Sequence, residues 1–482
     1  MKKITITLLT GLMLSLLIGC GSTSGSEKDG IKDALQGLKE AAQAQQESTE
    51  EPEDAAEEPE AALEESPEED QKASGVAPRL ILHRNSQYDW GDDSVPRIKH
   101  EFTFVTLEEK QADGNKGLAE SLTDAMNEII TKEQEAWDHD LETIAEQPGF
   151  VFDESWKTYV RRADGDVVSL LNEYVTEGQF DSGFYSSYIA HSYHTEGGKE
   201  IAFSEVVKDE EKFFDVIVPK VADYVNYAAT NIYAIELDMD PEKIRADLKD
   251  YLKEGVCAWT LDPQGVTLWV EGYTMLQSPV CATVLFSEDT NGEIFADEFR
   301  KNAPSEWIMQ VPVNVETTCD IDDSGKEVYV AAHESWDFRN VEESDELYLR
   351  GLYAYCGNGE IFEPTMPGGT SYYDAFLIHQ DHQTILLDNH DEYDRYYIET
   401  FTMNQDGVNM IDSVCVGLAL SDDDTYRYLD TYFPYYIPTD PAKIAIVVNA
   451  GTEGEQTDTM SVDENGWLKA ENFDIHGDID GE

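Results

Sequence analysis

WKTYVRRADGDVVSLLNEYVTEG, residues 156–178, holds two extended runs around a break at Asp164-Gly165. Trp156 to Arg162 and Val167 to Val175 are rich in β-branched and aromatic residues, and an Asp-Gly pair between such runs suits a tight hairpin turn. Immediately upstream lies a different period. Leu118, Leu122, Met126, Ile129, Trp137, Leu141 and Ile144 recur at helical spacing, and Pro148 ends the pattern. A long amphipathic helix beside a hairpin, with strands expected at Arg79 to His83 and Ile98 to Leu107, makes the first folded region α+β.

Downstream, a tyrosine-rich stretch leads to a helical region near Asp209 to Ala229. A further helix is predicted over Glu242 to Lys253, with Asp240 as its cap, Pro241 in its first turn and Gly255 just past its end. Strands resume at Cys257 to Leu261, Val266 to Val270 and Val280 to Phe286. Beyond Pro304 helical periodicity stops. Short β-branched and aromatic runs follow at Trp307 to Val315, Glu327 to Ala332, Leu347 to Tyr355, Ala375 to Leu387, Tyr396 to Met403, Ser413 to Leu420 and Ile444 to Val448, separated by Asp, Asn and Gly turns. The expected fold class is therefore α+β, a mixed or antiparallel sheet with helices, followed by an all-β domain. The expected boundaries are 78–303 and 304–482.

The N-terminal region reads differently. Lys2 and Lys3 precede an apolar run that closes with Leu17-Ile18-Gly19-Cys20, the pattern of a lipoprotein signal peptide over 1–19. Cys20 is then the lipidation site, its thiol taking a diacylglycerol, and becomes the mature N-terminus, anchored by acyl chains of the palmitate type. From 20 to 77 the composition is Gly, Ser, Glu, Ala, Gln and Pro, nearly a block of acid between Glu47 and Asp70. Too few apolar residues and too many like charges make this an extended stalk. The expected location is extracytoplasmic, lipid-anchored to the cell membrane, on a Gram-positive surface.

Composition limits the partners. Of 482 residues, 33 are Lys or Arg and 100 are Asp or Glu, for a formal charge of −67. Such a chain repels nucleic acid and anionic lipid, and attracts basic proteins, cationic peptides and divalent metals. At 41% hydrophobic and 11% aromatic, it still has material for a real core. Five cysteines remain after Cys20: Cys257, Cys281, Cys319, Cys356 and Cys415. An odd number cannot pair completely within one chain; Cys257 and Cys281 flank a predicted hairpin and could bridge, but buried thiols in strands are the favoured reading.

VVSLLNEYVTEG (167–178), GFYSSYIAHSYHTEGGKEIAFSEVVKDEEKFFDVI (183–217), CAWTLDPQGVTLWVEGYTM (257–275) and VCATVLFSED (280–289) together resemble the RsiV-type extracellular domain. That domain of unknown function occurs on the lysozyme-sensing anti-sigma factor and beside a peptidoglycan deacetylase. The matching positions are Ser169, His194, Gly198, Lys199, Ile201, Val206, Val207, Gly265 and Tyr273. The family's usual Asp before the turn is missing, since Thr195-Glu196 follows His194. What the resemblance implies is a mixed α/β sheet domain and contact with cell-wall material or a wall-directed protein.

No GxSxG, HExxH, P-loop or Gly-rich dinucleotide turn is present, so a non-enzymatic role is favoured. Asp320, Asp322, Ser324 and Glu327 are candidate calcium ligands, because oxygen side chains at alternate positions before Gly325 can wrap a hard cation; a plain acidic hairpin turn is the alternative. No cofactor is otherwise required. His379, Asp381, His382, His390 and Asp391 offer zinc-type donors, against the simpler reading of a solvated hairpin tip. Tyr372, Tyr373, Tyr432, Tyr435 and Tyr436 are candidate ligand-binding aromatics for wall glycan, with sheet packing as the alternative. The leading expectation is a cell-surface binding module for peptidoglycan or for a basic protein such as lysozyme. A wall-directed hydrolase and a calcium-stabilised adhesion module are the rivals.

Overall fold

The hairpin around Asp164 is the centre of a six-stranded sheet. β3 (Phe152–Ala163) and β4 (Val167–Gly178) pair antiparallel, and the turn between them is closed by the Asp164 carboxylate, which accepts from the amides of Asp166 and Val167. Gly165 needs no left-handed backbone in this turn. A bulge between Val160 and Arg162 inserts Arg161 as an extra residue. β1 (Leu80–Asp89), β2 (Ile98–Leu107), β5 (Phe184–His194) and β18 (Tyr436–Ile437) complete the order β18-β1-β2-β3-β4-β5. All pairs are antiparallel except β2 with β3, which run parallel, so the sheet is mixed. In this computed structural model the described residues are 76–90, 97–146, 151–178, 184–231, 240–271, 280–312, 317–320, 327–335, 349–356, 361–362, 371–380, 383–390, 395–404, 407–418, 436–448 and 456–472. Cys20 and the preceding signal-like run lie outside them, as does most of the acidic stretch. Residues Ser74–Glu482 belong to one compact unit.

The parallel step from β2 to β3 requires a crossover, supplied by a short helix α1 (Glu109–Gly114) and the long α2 (Lys116–Glu146). The apolar stripe of α2 does face the sheet: Leu118, Leu122, Met126, Ile129 and Ile144 are buried, whereas Leu141 is exposed. The start of α2 is held by the 194–199 turn. Asn115 donates to the Thr195 carbonyl, and Ser121 donates to that of Gly198 at 2.7 Å. Gly198 has φ +65°, and a Cβ there would meet Gly117 backbone atoms at 2.4 Å. The Gly198-Lys199 positions of the family-like motif thus have a structural use, seating a turn on a helix where only glycine fits.

On the other face of the sheet lies a three-stranded antiparallel meander, β6 (Cys257–Asp262), β7 (Gly265–Val270) and β8 (Val280–Leu285). Its outer side is covered by α4 (Glu210–Asn231) and α5 (Pro241–Glu254), which follow the short α3 (Phe203–Val206). Phe213, Phe214, Ile217, Val221, Ile244 and Leu248 pack there with Cys257, Leu261, Val270 and Val280. The inner side carries Ala258, Trp269 and Cys281 against Tyr159, Leu171 and Tyr188 of the large sheet. Cys257 and Cys281 therefore point to opposite faces from non-adjacent strands, which forbids a bridge between them. α5 is punctuated as its sequence predicts: Asp240 accepts from the Glu242 amide and Gly255 ends the helix with φ +76°.

After α6 (Asp297–Lys301) the regular elements among the described residues are all β-strands. β9 (Trp307–Val311), β14 (Ser371–His379), β15 (Gln383–His390), β16 (Arg395–Asn404) and β17 (Gly407–Leu418) form an antiparallel sheet in the order β17-β16-β15-β14-β9. The run Ala375 to Leu387, expected as one segment, is two strands of a hairpin. β10 (Thr317–Asp320), β11 (Glu327–Ser335), β12 (Leu349–Cys356) and β13 (Ile361–Phe362) make a second antiparallel sheet. β19 (Ile444–Val448), β20 (Gln456–Val462) and β21 (Leu468–Ala470) make a third. The architecture is α+β with a mixed sheet, followed by antiparallel β sheets.

Candidate functional site

The buried face of β2 carries Ile98, His100, Phe102 and Phe104 at the two-residue period of a strand, so His100 stands where an apolar side chain is expected. Above it, α2 continues its inward stripe after Ile129 with Glu133, Trp137 and Asp140. The two acids lie seven residues apart on one face, about 10.5 Å along the axis, and they clasp the imidazole from both ends. His100 Nδ1 is 3.3 Å from Glu133 Oε1 and Nε2 is 3.0 Å from Asp140 Oδ2. Trp137 meets the ring edge-on at 5.1 Å and 88°. Glu154, the parallel register partner of His100 on β3, brings its Oε2 to 3.7 Å from Nε2. His100, Glu133 and Asp140 are at most 2% exposed and Glu154 is 6% exposed.

Burial by itself would lower the His100 pKa, but the hydrogen bonds to Asp140 and Glu133 and the charges of Glu154 and Glu133 outweigh it and hold it at about 9. Around neutral pH the ring is an imidazolium, the one state in which both nitrogens donate to carboxylates. Removing a single member of such a cluster would strand buried charge.

A second buried group lies on the other face of the sheet. Glu173 of β4 is 1% exposed and accepts from the hydroxyls of Tyr159 at 3.0 Å and Tyr188 at 3.3 Å. Burial pushes its pKa up to about 7, against the opposing influence of Lys157 and the two hydroxyls. A third, Arg161, forms a fork with Asp262 at 3.2 and 2.6 Å, donates to the Gln310 carbonyl and Thr317, and lies 5.0 Å over the Trp269 ring. It binds β3, β6, β9 and β10 into one piece.

The residues singled out from sequence are dispersed. Asp320 and Glu327 are cross-strand partners at the turn end of the β10–β11 hairpin, while Asp322 and Ser324 lie outside the described residues. Tyr372 and Tyr373 sit at a bulge in β14 and Tyr436 pairs with Ile81, so they belong to different sheets; Tyr432 and Tyr435 lie outside the described residues. His379 and His390 do not converge. They occupy opposite ends of the β14–β15 hairpin, paired with Gln383 and Ser371, and seven residues of strand between 383 and 390 span about 23 Å. His379 instead stacks flat on Trp307 at 5.1 Å; Asp381, His382 and Asp391 lie outside the described residues. None of the His100 group was foreseen. Its only signal is a pair of acids filling the gaps that Ile129, Trp137 and Ile144 leave in the stripe.

No family model and no curated protein matches the chain. Among solved structures it is similar to a DUF3298 family member from Bacteroides fragilis, at 9% identity and TM-score 0.30, covering 47% of this chain and 96% of that one. It is also similar to a DUF3298 family protein from Pseudomonas aeruginosa, at 11% identity and TM-score 0.29, covering 46% and 96%.

Proposed function

We propose that this protein is a lipid-anchored surface receptor, without catalytic activity of its own, that captures a basic extracellular protein of the lysozyme kind. The observation that carries this reading is the charge: 100 acidic against 33 basic side chains. Much of the basic minority is neutralised locally, as in Arg97–Asp89, Lys199–Glu205, Lys212–Glu293, Lys249–Glu211 and Lys469–Asp463. The surplus carboxylates are left to form a negative field that draws in a cationic partner. The acylated Cys20 and its acidic stalk would hold this body clear of the membrane. The resemblance to the RsiV-type domain supports the choice of a wall-directed enzyme as ligand.

The test is retention of a basic lysozyme by the immobilised chain at low and at physiological ionic strength, with an acidic protein of equal size as control. Binding that weakens steeply with salt is expected. No retention at either ionic strength removes this ligand.

A further inference from the structure

We propose that His100, Asp140 and Glu154 form a binding site for one divalent transition-metal ion of the zinc type, with Glu133 orienting the imidazole. The site stands on geometry. Nε2 lies 3.0 Å from Asp140 Oδ2 and 3.7 Å from Glu154 Oε2, and the three donor atoms fall within 4.8 Å of one another. A tetrahedral ion with bonds of about 2.0–2.1 Å has ligand–ligand edges of about 3.3–3.4 Å, between the two measured separations. An ion at their centre asks only small movements of two carboxylates, and a water molecule carried in with it would supply the fourth ligand.

The surroundings match what a bound imidazole requires. A metal-ligating histidine donates its other ring N–H to a carboxylate, fixing tautomer and ring plane; Glu133 stands at Nδ1 for this, and Trp137 braces the ring edge-on. With Nδ1–H given to Glu133, Nε2 faces two carboxylate oxygens, and a metal ion would take the place of the proton that the metal-free imidazolium holds there. Acceptors facing one another in a buried site need a cation between them, a proton or a metal ion. One nitrogen and two carboxylate oxygens select zinc, manganese or iron over calcium and magnesium, which take all-oxygen shells. Three donors from β2, α2 and β3 would also fasten the parallel crossover at its centre.

The full chain is refolded from chelator-treated denaturant with zinc, in millimolar calcium to occupy exposed carboxylates, then dialysed and assayed for bound metal and melting temperature. Expected are one retained zinc per chain and a raised melting point, with zinc affinity about 10- to 100-fold weaker in Glu133→Gln and zinc lost in Glu154→Gln. Cobalt(II) offered to the wild type should give the intense visible bands of a four-coordinate site, a readout independent of whether any variant folds. Retention of zinc equal in wild type and folded Glu154→Gln, no retained zinc, or only weak six-coordinate cobalt bands would overturn the site.

Discussion

Glu173 sets a pH response of its own. Its carboxyl titrates at about 7 in the folded protein because it is buried, against about 4.3 in an unfolded chain. The native state therefore holds a proton that the unfolded state has released. This stability contribution is fully present below about pH 4.3 and is lost as pH rises through 7, at a slope of up to about 1.4 kcal/mol per pH unit. Glu173→Gln, which keeps the tyrosine hydroxyls supplied with an acceptor, should be more stable than wild type at pH 8. The gap should shrink toward pH 5, as followed by urea denaturation at the two values. Equal stability differences at both would show that Glu173 is not the titrating group. Gly198 makes a simpler case. Gly198→Ala must place a methyl group into Gly117 backbone at positive φ, and the loss should be about 2 kcal/mol or more, read as a fall in the urea midpoint.

Among the elements, α5 was readable almost to the residue because each of its signals is local: Asp240 satisfies an orphan amide, Pro241 fits the first turn and Gly255 turns left-handed. Asp240→Ala should cost about 1 kcal/mol, measured by chemical denaturation, with the fold intact by circular dichroism. α2 was legible for the same kind of reason, since its apolar residues from Leu118 to Ile144, the exposed Leu141 apart, turn toward the sheet. β5 was not. Its tyrosines and serines, with Ile189 and Ala190, show no clear alternation, and it becomes a strand because β4 presents an edge to it. The His100 group was hidden by the very periodicity that revealed the helix. Apolar residues announce a buried face, whereas Glu133 and Asp140 read as the ordinary solvated charges of a 31-residue helix until β2 brings a histidine between them. The tyrosines and histidines chosen from sequence had clustering in the chain as their warrant, and a strand of ten residues spreads such clusters over about 30 Å.

For the whole molecule, the same charge should act in opposite directions on folding and on capture. Screening relieves self-repulsion within a chain of formal charge −67, so melting temperature should rise between 10 and 300 mM salt. Retention of a basic partner should fall across the same range. A melting point indifferent to salt would mean that the carboxylates are spaced too widely to repel. The α+β reading and the change to pure β beyond Pro304 were visible in the period of the apolar residues. The links joining distant stretches were not, because they rest on single buried polar groups. Arg161 is the plainest: its fork to Asp262 and its bond to the Gln310 carbonyl join strands about 100 and 150 positions apart, and nothing in the local pattern marks it.

The pairing of Leu80 and Ile81 with Ile437 and Tyr436, reinforced by Thr439 donating to the Pro78 carbonyl at 3.1 Å, bears on how the chain is made. The first of the described strands keeps the outer edge of Leu80 and Ile81 bare until more than 350 further residues have been synthesised, and unsheathed strand flanks recruit one another into aggregates. Biogenesis therefore has a late closing step, and a nascent chain halted before Tyr436 would leave that edge open.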